Sequence, residues 1–198
     1  CLGRLRSDGV ARGAPPAAPI EIHPRLPQPG ETVTTLDGAT RKLEPHTILV
    51  TDPAGNLSIG GIMGGRESEI GDTTTRVLLE AAAWNFINIR RSANALDLHT
   101  EAAYRFGRGV PPSLALLGAK RAAELLRTLA GGTVAQGIID NYPRPTAPVV
   151  IDLDPAYVRK LSGLDLSADD IAGVLRRLEF VVEPADARLR VPAPDHRL

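Results

Sequence analysis

Cysteine is almost absent: the 198-residue chain carries one, at position 1. That excludes an intramolecular disulfide framework and a cysteine-built zinc cluster, and it fits a reducing, cytoplasmic setting. Net charge is absent too, because 23 Lys and Arg are matched by 23 Asp and Glu. A neutral balance argues against a freestanding, strongly electrostatic nucleic-acid binder, though not against a module that touches RNA inside a larger assembly. No apolar run approaches membrane-spanning length, and no signal-peptide pattern opens the chain. There is no Ser-His-Asp arrangement, no nucleophile elbow and no His/Asp metal spacing, so no metal ligand is assigned. The first residue is not Met, and Asp195-His196-Arg197-Leu198 completes no terminal element. The chain is therefore read as a piece of a longer protein.

What is present falls into three stretches. Residues 1–19 are rich in Arg, Gly, Ala and Pro and read as an irregular leader. Residues 20–147 carry a run of short strand patterns followed by helical ones. Ile20-Glu21-Ile22-His23 alternates, and Glu31–Leu36 leads into the hairpin dipeptide Asp37-Gly38, with Arg41-Lys42-Leu43 returning. Ile48–Thr51, Leu57–Ile59 and a buried strand over Val77–Ala83 follow. Leu114, Leu117, Gly118, Ala122, Leu125, Leu126 and Leu129 share one helical face, between Pro111-Pro112 and Gly131-Gly132. A Pro-rich linker, 141–148, leads to a second, partial domain over 148–198. There Val149–Leu153 is a strand, Asp154-Pro155 opens a short helix, and Ser167 with Asp170 forms an approximate capping box. The fold class is thus α+β: a mixed or antiparallel sheet domain with packed helices, then a small helix-turn-helix-like α/β domain.

Three segments could carry chemistry. Gly60-Gly61-Ile62-Met63-Gly64-Gly65 is neither a dinucleotide fingerprint nor a phosphate loop. Its glycines permit either a tight turn between strands or a close approach to a ligand, and alone the turn is favoured. Glu80 follows Val77-Leu78-Leu79 and precedes three Ala. A carboxylate among such neighbours is expensive to bury without a partner, and small neighbours leave a pocket. A strand-end Glu facing solvent fits the pattern equally well. Leu98–Val110 reads as a helix with a Gly-terminated end, in which His99 alone suggests a structural or surface histidine.

Together these segments resemble the bacterial phenylalanyl-tRNA synthetase beta subunit. Gly60–Gly65, Val77-Leu78-Leu79-Glu80 and Leu98-His99-Thr100-Glu101-Ala102, with Arg105-Phe106 and Arg108-Gly109-Val110, stand in the family's order and spacing. The resemblance runs through about residues 20–195. It implies an editing domain, N-terminally incomplete, over 20–147, which hydrolyses tyrosine wrongly attached to tRNA(Phe). The pocket would be lined by Gly64, Glu80, Thr100 and Ala102, with Glu80 accepting the tyrosine hydroxyl and Ala102 kept small. No general base is named; a positioned water, backbone amides and a tRNA ribose hydroxyl would serve the hydrolysis. The resemblance also implies the partners tRNA(Phe) and an alpha subunit in an α₂β₂ tetramer. ATP and Mg²⁺ would serve the whole enzyme and not this piece. The chain departs from the family pattern at four points. Asn94-Ala95 stands where a basic pair is usual, Asp97 where Gly is, Gly107 where Glu is, and Val110-Pro111-Pro112 where Val-Asp-Pro is. A family segment like Gln-Pro-Leu-His-Ala-Phe-Asp, which would lie upstream of Ile20, has no counterpart in residues 1–19. Two other readings keep the fold: a tRNA-docking or subunit-packing module without hydrolysis, and a standalone deacylase.

Overall fold

A computed structural model of the chain describes the backbone of residues 2–4 and residues 21–197. The chain divides into two compact units, Cys1–Gln136 and Gly137–Leu198. The first unit contains strands β1 (Leu2–Arg4), β2 (His23–Arg25), β3 (Thr32–Thr34), β4 (Thr40–Lys42), β5 (Leu49–Asp52), β6 (Gly55–Ile59), β7 (Met63–Gly64) and β8 (Val77–Leu79). Helices α1 (Phe86–Ala95), α2 (Glu101–Phe106) and α3 (Ser113–Leu129) follow. Every strand pair among the described residues is antiparallel. The expected α+β class, antiparallel sheets with helices, is what the chain adopts.

The main sheet has the order β2-β5-β6-β7. Leu49 and Ile59 are directly paired across β5 and β6, and both are fully buried. The β3–β4 hairpin turns at Asp37-Gly38, where the Asp37 carboxylate accepts from the Ala39 amide at 3.2 Å and Gly38 takes φ 81°. The hairpin joins the main sheet through a Thr35–Gly65 bridge and a Leu36 amide bond to the Gly64 carbonyl at 3.0 Å. The helices close the other side. Ile89 and Ala93 of α1 and Ala103 of α2 share one apolar cluster with Val33, Leu43, Leu49, Ile59 and Ile62.

Several expectations shift. The alternating strand placed at 20–23 begins at His23, and Ile20 lies outside the described residues. The buried strand expected over Val77–Ala83 is only Val77–Leu79, and it is half-exposed. Its partner among the described residues is Leu2–Arg4, inside the stretch read as an irregular leader. The remainder of that leader, 5–19, lies outside the described residues. Among the described residues this ribbon has two strands, and its pairing ends at Leu79. Helix α3 forms as expected after its Pro pair, but none of its residues is buried, and Leu117 and Leu129 stay 60% and 81% exposed. Asp97 adopts φ 50°, a left-handed conformation that Gly takes freely and Asp tolerates. That accounts for the departure at this position.

The second unit holds β9 (Val150–Leu153), α4 (Pro155–Ser162), α5 (Ala168–Arg177), β10 (Glu183–Ala185) and β11 (Arg188–Pro192). The three strands form a sheet of order β10-β11-β9, and Leu189, Val191, Ile171, Ala172 and Val182 form its core. Asp154 caps α4, and the Ser167/Asp170 pair makes a complete capping box on α5.

One polar network in the first unit gives a pH test. Glu31 accepts two bonds from Arg25 (2.8 and 2.6 Å), one from the Gln28 amide (2.7 Å) and one from Asn56 of β6 (3.0 Å). The Arg25 guanidinium, helped by the other donors, holds the Glu31 carboxyl at about 2 instead of its usual 4.5. A carboxylate lowered by folding stabilises the fold above its unfolded value and loses that contribution as pH falls toward the folded one. Stability should therefore decline between about pH 4.5 and 2 in part through Glu31. Glu31→Gln should flatten that acid limb and lower stability at pH 7 by about 1–3 kcal/mol, as read from urea unfolding midpoints across pH.

Candidate functional site

The glycine segment forms the β6–β7 turn. The Gly60 amide donates to the Ile48 carbonyl at 2.8 Å, and the Ile62 amide to the Ile59 carbonyl at 3.0 Å. Gly61 takes φ 68°, which a side chain would resist. Close approach is also real, and it is to Trp84. A Cβ added at Gly60 would lie 2.7 Å from the Trp84 ring, and one at Gly61 would lie 2.6 Å from it and 2.9 Å from Ile89 Cδ1. The indole spans both bare residues. The turn reading of the segment is thus realised at Gly60-Gly61, and the group brought close there is the chain's own indole.

Thr100 is bound to the same turn. Its hydroxyl donates to the Ile62 carbonyl at 2.7 Å and accepts from the Ala103 amide at 3.0 Å, so it caps α2 while holding the turn. A hydroxyl has one proton, and Ile62 takes it; a further partner could only donate to Thr100. Ala102, two residues on, is half-buried, while Ala103 enters the core. Gly64 pairs with Ser58 in the sheet, and a Cβ there would meet Leu36 Cδ1 at 3.0 Å.

Glu80 leaves the end of β8 half-buried. Burial pushes its carboxyl above the ordinary glutamate value. It is tied to the glycine turn through the chain, since Trp84 comes four residues later and packs on Gly60 and Gly61. Four residues span at most about 14 Å. The structure therefore links Thr100 directly to the glycine turn and anchors the Glu80 segment to it through Trp84. His99 is exposed and its Nε2 lies 3.2 Å from Asp97 Oδ1. Among the described residues no three His, Cys, Asp or Glu side chains converge as metal ligands.

Reading the sequence missed helix α1 and Trp84. The signal was there: Asn85 caps α1 by accepting from the Ile87 and Asn88 amides at 3.0 and 3.1 Å, and Phe86, Ile89 and Ala93 follow at helical spacing. Between α1 and α2 lies an open groove of about 440 Å³. Thr100, Leu98 and Ala103 line it, as do Arg90, Tyr104 and Arg108, whereas Gly64, Glu80 and Ala102 do not.

A family model described as the B3/4 domain matches residues 16–131. The chain is 45% identical, over 166 residues, to the phenylalanine-tRNA ligase beta subunit of Geobacter sulfurreducens, covering 82% of this chain and 21% of that protein. It is 40% identical over 169 residues to the subunit of the same name from Moorella thermoacetica, covering 85% and 21%. The chain thus spans about a fifth of the length of these curated relatives. An N-terminal fragment of the phenylalanyl-tRNA synthetase beta subunit from Pyrococcus horikoshii aligns with 89% of this chain and 51% of that one, at 16% identity and a TM-score of 0.44, too distant to carry weight.

Two substitutions test the geometry. Gly61→Ala combines a positive φ with an indole clash and should destabilise by about 2 kcal/mol or more; Gly30→Ala, with φ 79° but nothing within 4 Å, should show only the backbone part. Thr100→Val should remove a half-buried bond and a helix cap, about 1–3 kcal/mol, and Thr100→Ser should restore most of it. Thermal unfolding of the four variants would check both.

Proposed function

The chain belongs to the B3/4 domain family, and from that footing we propose that it is the proofreading part of a phenylalanyl-tRNA synthetase beta subunit. Its reaction is hydrolysis of the ester between tyrosine and tRNA(Phe). The observation that supports this most is Glu80: a half-buried carboxyl, raised by burial, on a segment fastened to the glycine turn that also holds Thr100. A pocket shaped for phenylalanine cannot strongly reject an isostere with one added hydroxyl. A second site that bonds that hydroxyl can. Glu80 would accept the phenol proton in a strong bond, whereas phenylalanine would leave the carboxyl desolvated and without that donor. Gly64, Thr100 and Ala102 complete the pocket in this reading, and Ala102 leaves room for the side chain.

An aminoacyl ester is already activated, so the chemistry asks for a placed water and a stabilised oxyanion more than for a strong base. The Thr100 hydroxyl, with its proton held by Ile62, fits a lining role and not that of a donor to the oxyanion. The same reading supplies the partners: tRNA(Phe) and an alpha subunit in an α₂β₂ assembly, in the cytoplasm. Ligation of phenylalanine, with ATP and Mg²⁺, belongs to that assembly, and no residue of this chain is assigned to it.

The test is deacylation of tyrosyl-tRNA(Phe) by the complete assembly. Glu80→Ala should slow it by about 5- to 150-fold, the equivalent of roughly 1–3 kcal/mol, and Ala102→Trp should abolish it by filling the pocket. Equal rates in wild type and Glu80→Ala would remove the carboxyl from the site, whereas no deacylation by the wild type would favour the docking-module reading.

A further inference from the structure

Glu80 stands on a stretch that regular structure does not fix. Residues 80–85 form neither strand nor helix, and Ala81, Ala82 and Ala83 carry side chains too small to bury much area. Pairing in β8 ends at Leu79, and α1 begins at Phe86, behind its Asn85 cap. Between those two supports the large apolar side chain is Trp84, and its indole lies across the glycine turn. The six-membered ring faces Gly60, where an added Cβ would meet Cη2 at 2.7 Å. The five-membered ring faces Gly61, where an added Cβ would meet Cδ1 at 2.6 Å and Nε1 at 2.9 Å. The turn beneath is itself held, by the Gly60 amide on the Ile48 carbonyl at 2.8 Å and by the Thr100 hydroxyl on the Ile62 carbonyl at 2.7 Å.

We propose that Trp84 is a positioning residue for selectivity: by filling the space against Gly60 and Gly61, it sets where the Glu80 carboxyl stands relative to the wall formed by the glycine turn and Thr100. This role rests on the proofreading reading for what Glu80 does, and it adds what decides Glu80's place. Trp84 acts on the substrate indirectly, through the chain it shares with Glu80. Apolar contacts to an aromatic side chain are non-directional and survive a small shift. A hydrogen bond to a phenol is directional and weakens steeply with distance and angle. A displaced Glu80 therefore costs the tyrosyl ester its advantage and leaves the phenylalanyl ester nearly unaffected. The quantity under Trp84's control is the ratio of the two rates. The size of the indole is also matched to the bareness of the turn. Gly60 does not take a positive φ, so a methyl group there meets the ring without added backbone strain. A phenylalanine ring at position 84 would not reach as far as the indole's Cη2, and it would leave room for that methyl group.

Deacylation of tyrosyl- and phenylalanyl-tRNA(Phe) by the complete assembly, with melting temperatures of the same preparations, tests this. Gly60→Ala should lower the tyrosyl-to-phenylalanyl rate ratio about tenfold. Trp84→Leu should lower it as much or more, and Trp84→Phe less. Combining Gly60→Ala with Trp84→Phe should regain most of the ratio. In a Glu80→Ala background none of these substitutions should change the ratio further, since the bond they misplace is gone. Gly30→Ala, with φ 79° and nothing within 4 Å of an added Cβ, should lower the melting temperature and keep the ratio. A role in stability alone would lower both rates together, and a wild-type ratio in Gly60→Ala and Trp84→Leu would overturn the proposal. So would an undiminished loss in the combined variant, or an equal drop in the ratio when Glu80 is already replaced. Glu80→Ala by itself decides the other reading. A wild-type ratio there sinks the carboxyl assignment, whereas a lowered ratio there beside wild-type ratios in Gly60→Ala and Trp84→Leu sinks only the role of Trp84.

Discussion

The first unit depends on one contact, the Trp84 indole closed over the bare backbone of Gly60 and Gly61. Three parts of the chain meet there: the β6–β7 turn, the segment leaving β8 with Glu80, and helix α1 through Ile89. Burying even half of a tryptophan's usual 150–250 Å² is worth about 2–3 kcal/mol at roughly 25 cal/mol per Å². The Thr100 hydroxyl bond to Ile62 adds about 1 kcal/mol. Packing therefore holds the junction together. The hydrogen bond contributes less energy but fixes the register of α2 against the turn, because it is directional and packing is not. The two glycines follow from this. Their role is to be absent as side chains, so that an aromatic plane can lie where a Cβ would stand.

That contact also marks where the sequence was legible and where it was not. Elements set by neighbouring residues could be read. The Asp37-Gly38 hairpin, the proline pair before α3, the Asp154 cap and the Ser167/Asp170 box all act within a few residues, and all appear in place. Helix α1 was equally local, with Asn85 as its cap, but two arginines and two asparagines thin its apolar stripe and hide the periodicity. The strand at Val77 was overdrawn for a different reason. An apolar run shows hydrophobicity, not how many strands flank it, and its partner lies more than seventy residues away at Leu2–Arg4.

The site shows the same division. Thr100 before Glu101-Ala102-Ala103 is a helix-cap pattern that residue types alone display. Its donation to Ile62, thirty-eight residues earlier, is a product of tertiary packing, and only the family resemblance had placed the two segments together. The groove arginines were legible as residues and not as a surface. Net neutrality concealed them because opposite charges elsewhere in the chain balance the sum, whereas a phosphate responds to charges within about a Debye length, roughly 8–10 Å.

Under the proposed function, affinity and selectivity reside on different side chains. Arginines that grip phosphates act on every aminoacyl-tRNA alike, so they raise occupancy without distinguishing tyrosine from phenylalanine. Discrimination needs a term that differs between the two side chains, and the Glu80 carboxyl supplies one only where water cannot substitute for the missing phenol. Burial raises that carboxyl's proton affinity. In this reading it serves as a short-range acceptor that responds to one hydroxyl. The separation is physically favourable, because a carboxylate placed among arginines would interact with them first and respond less to the substrate's hydroxyl.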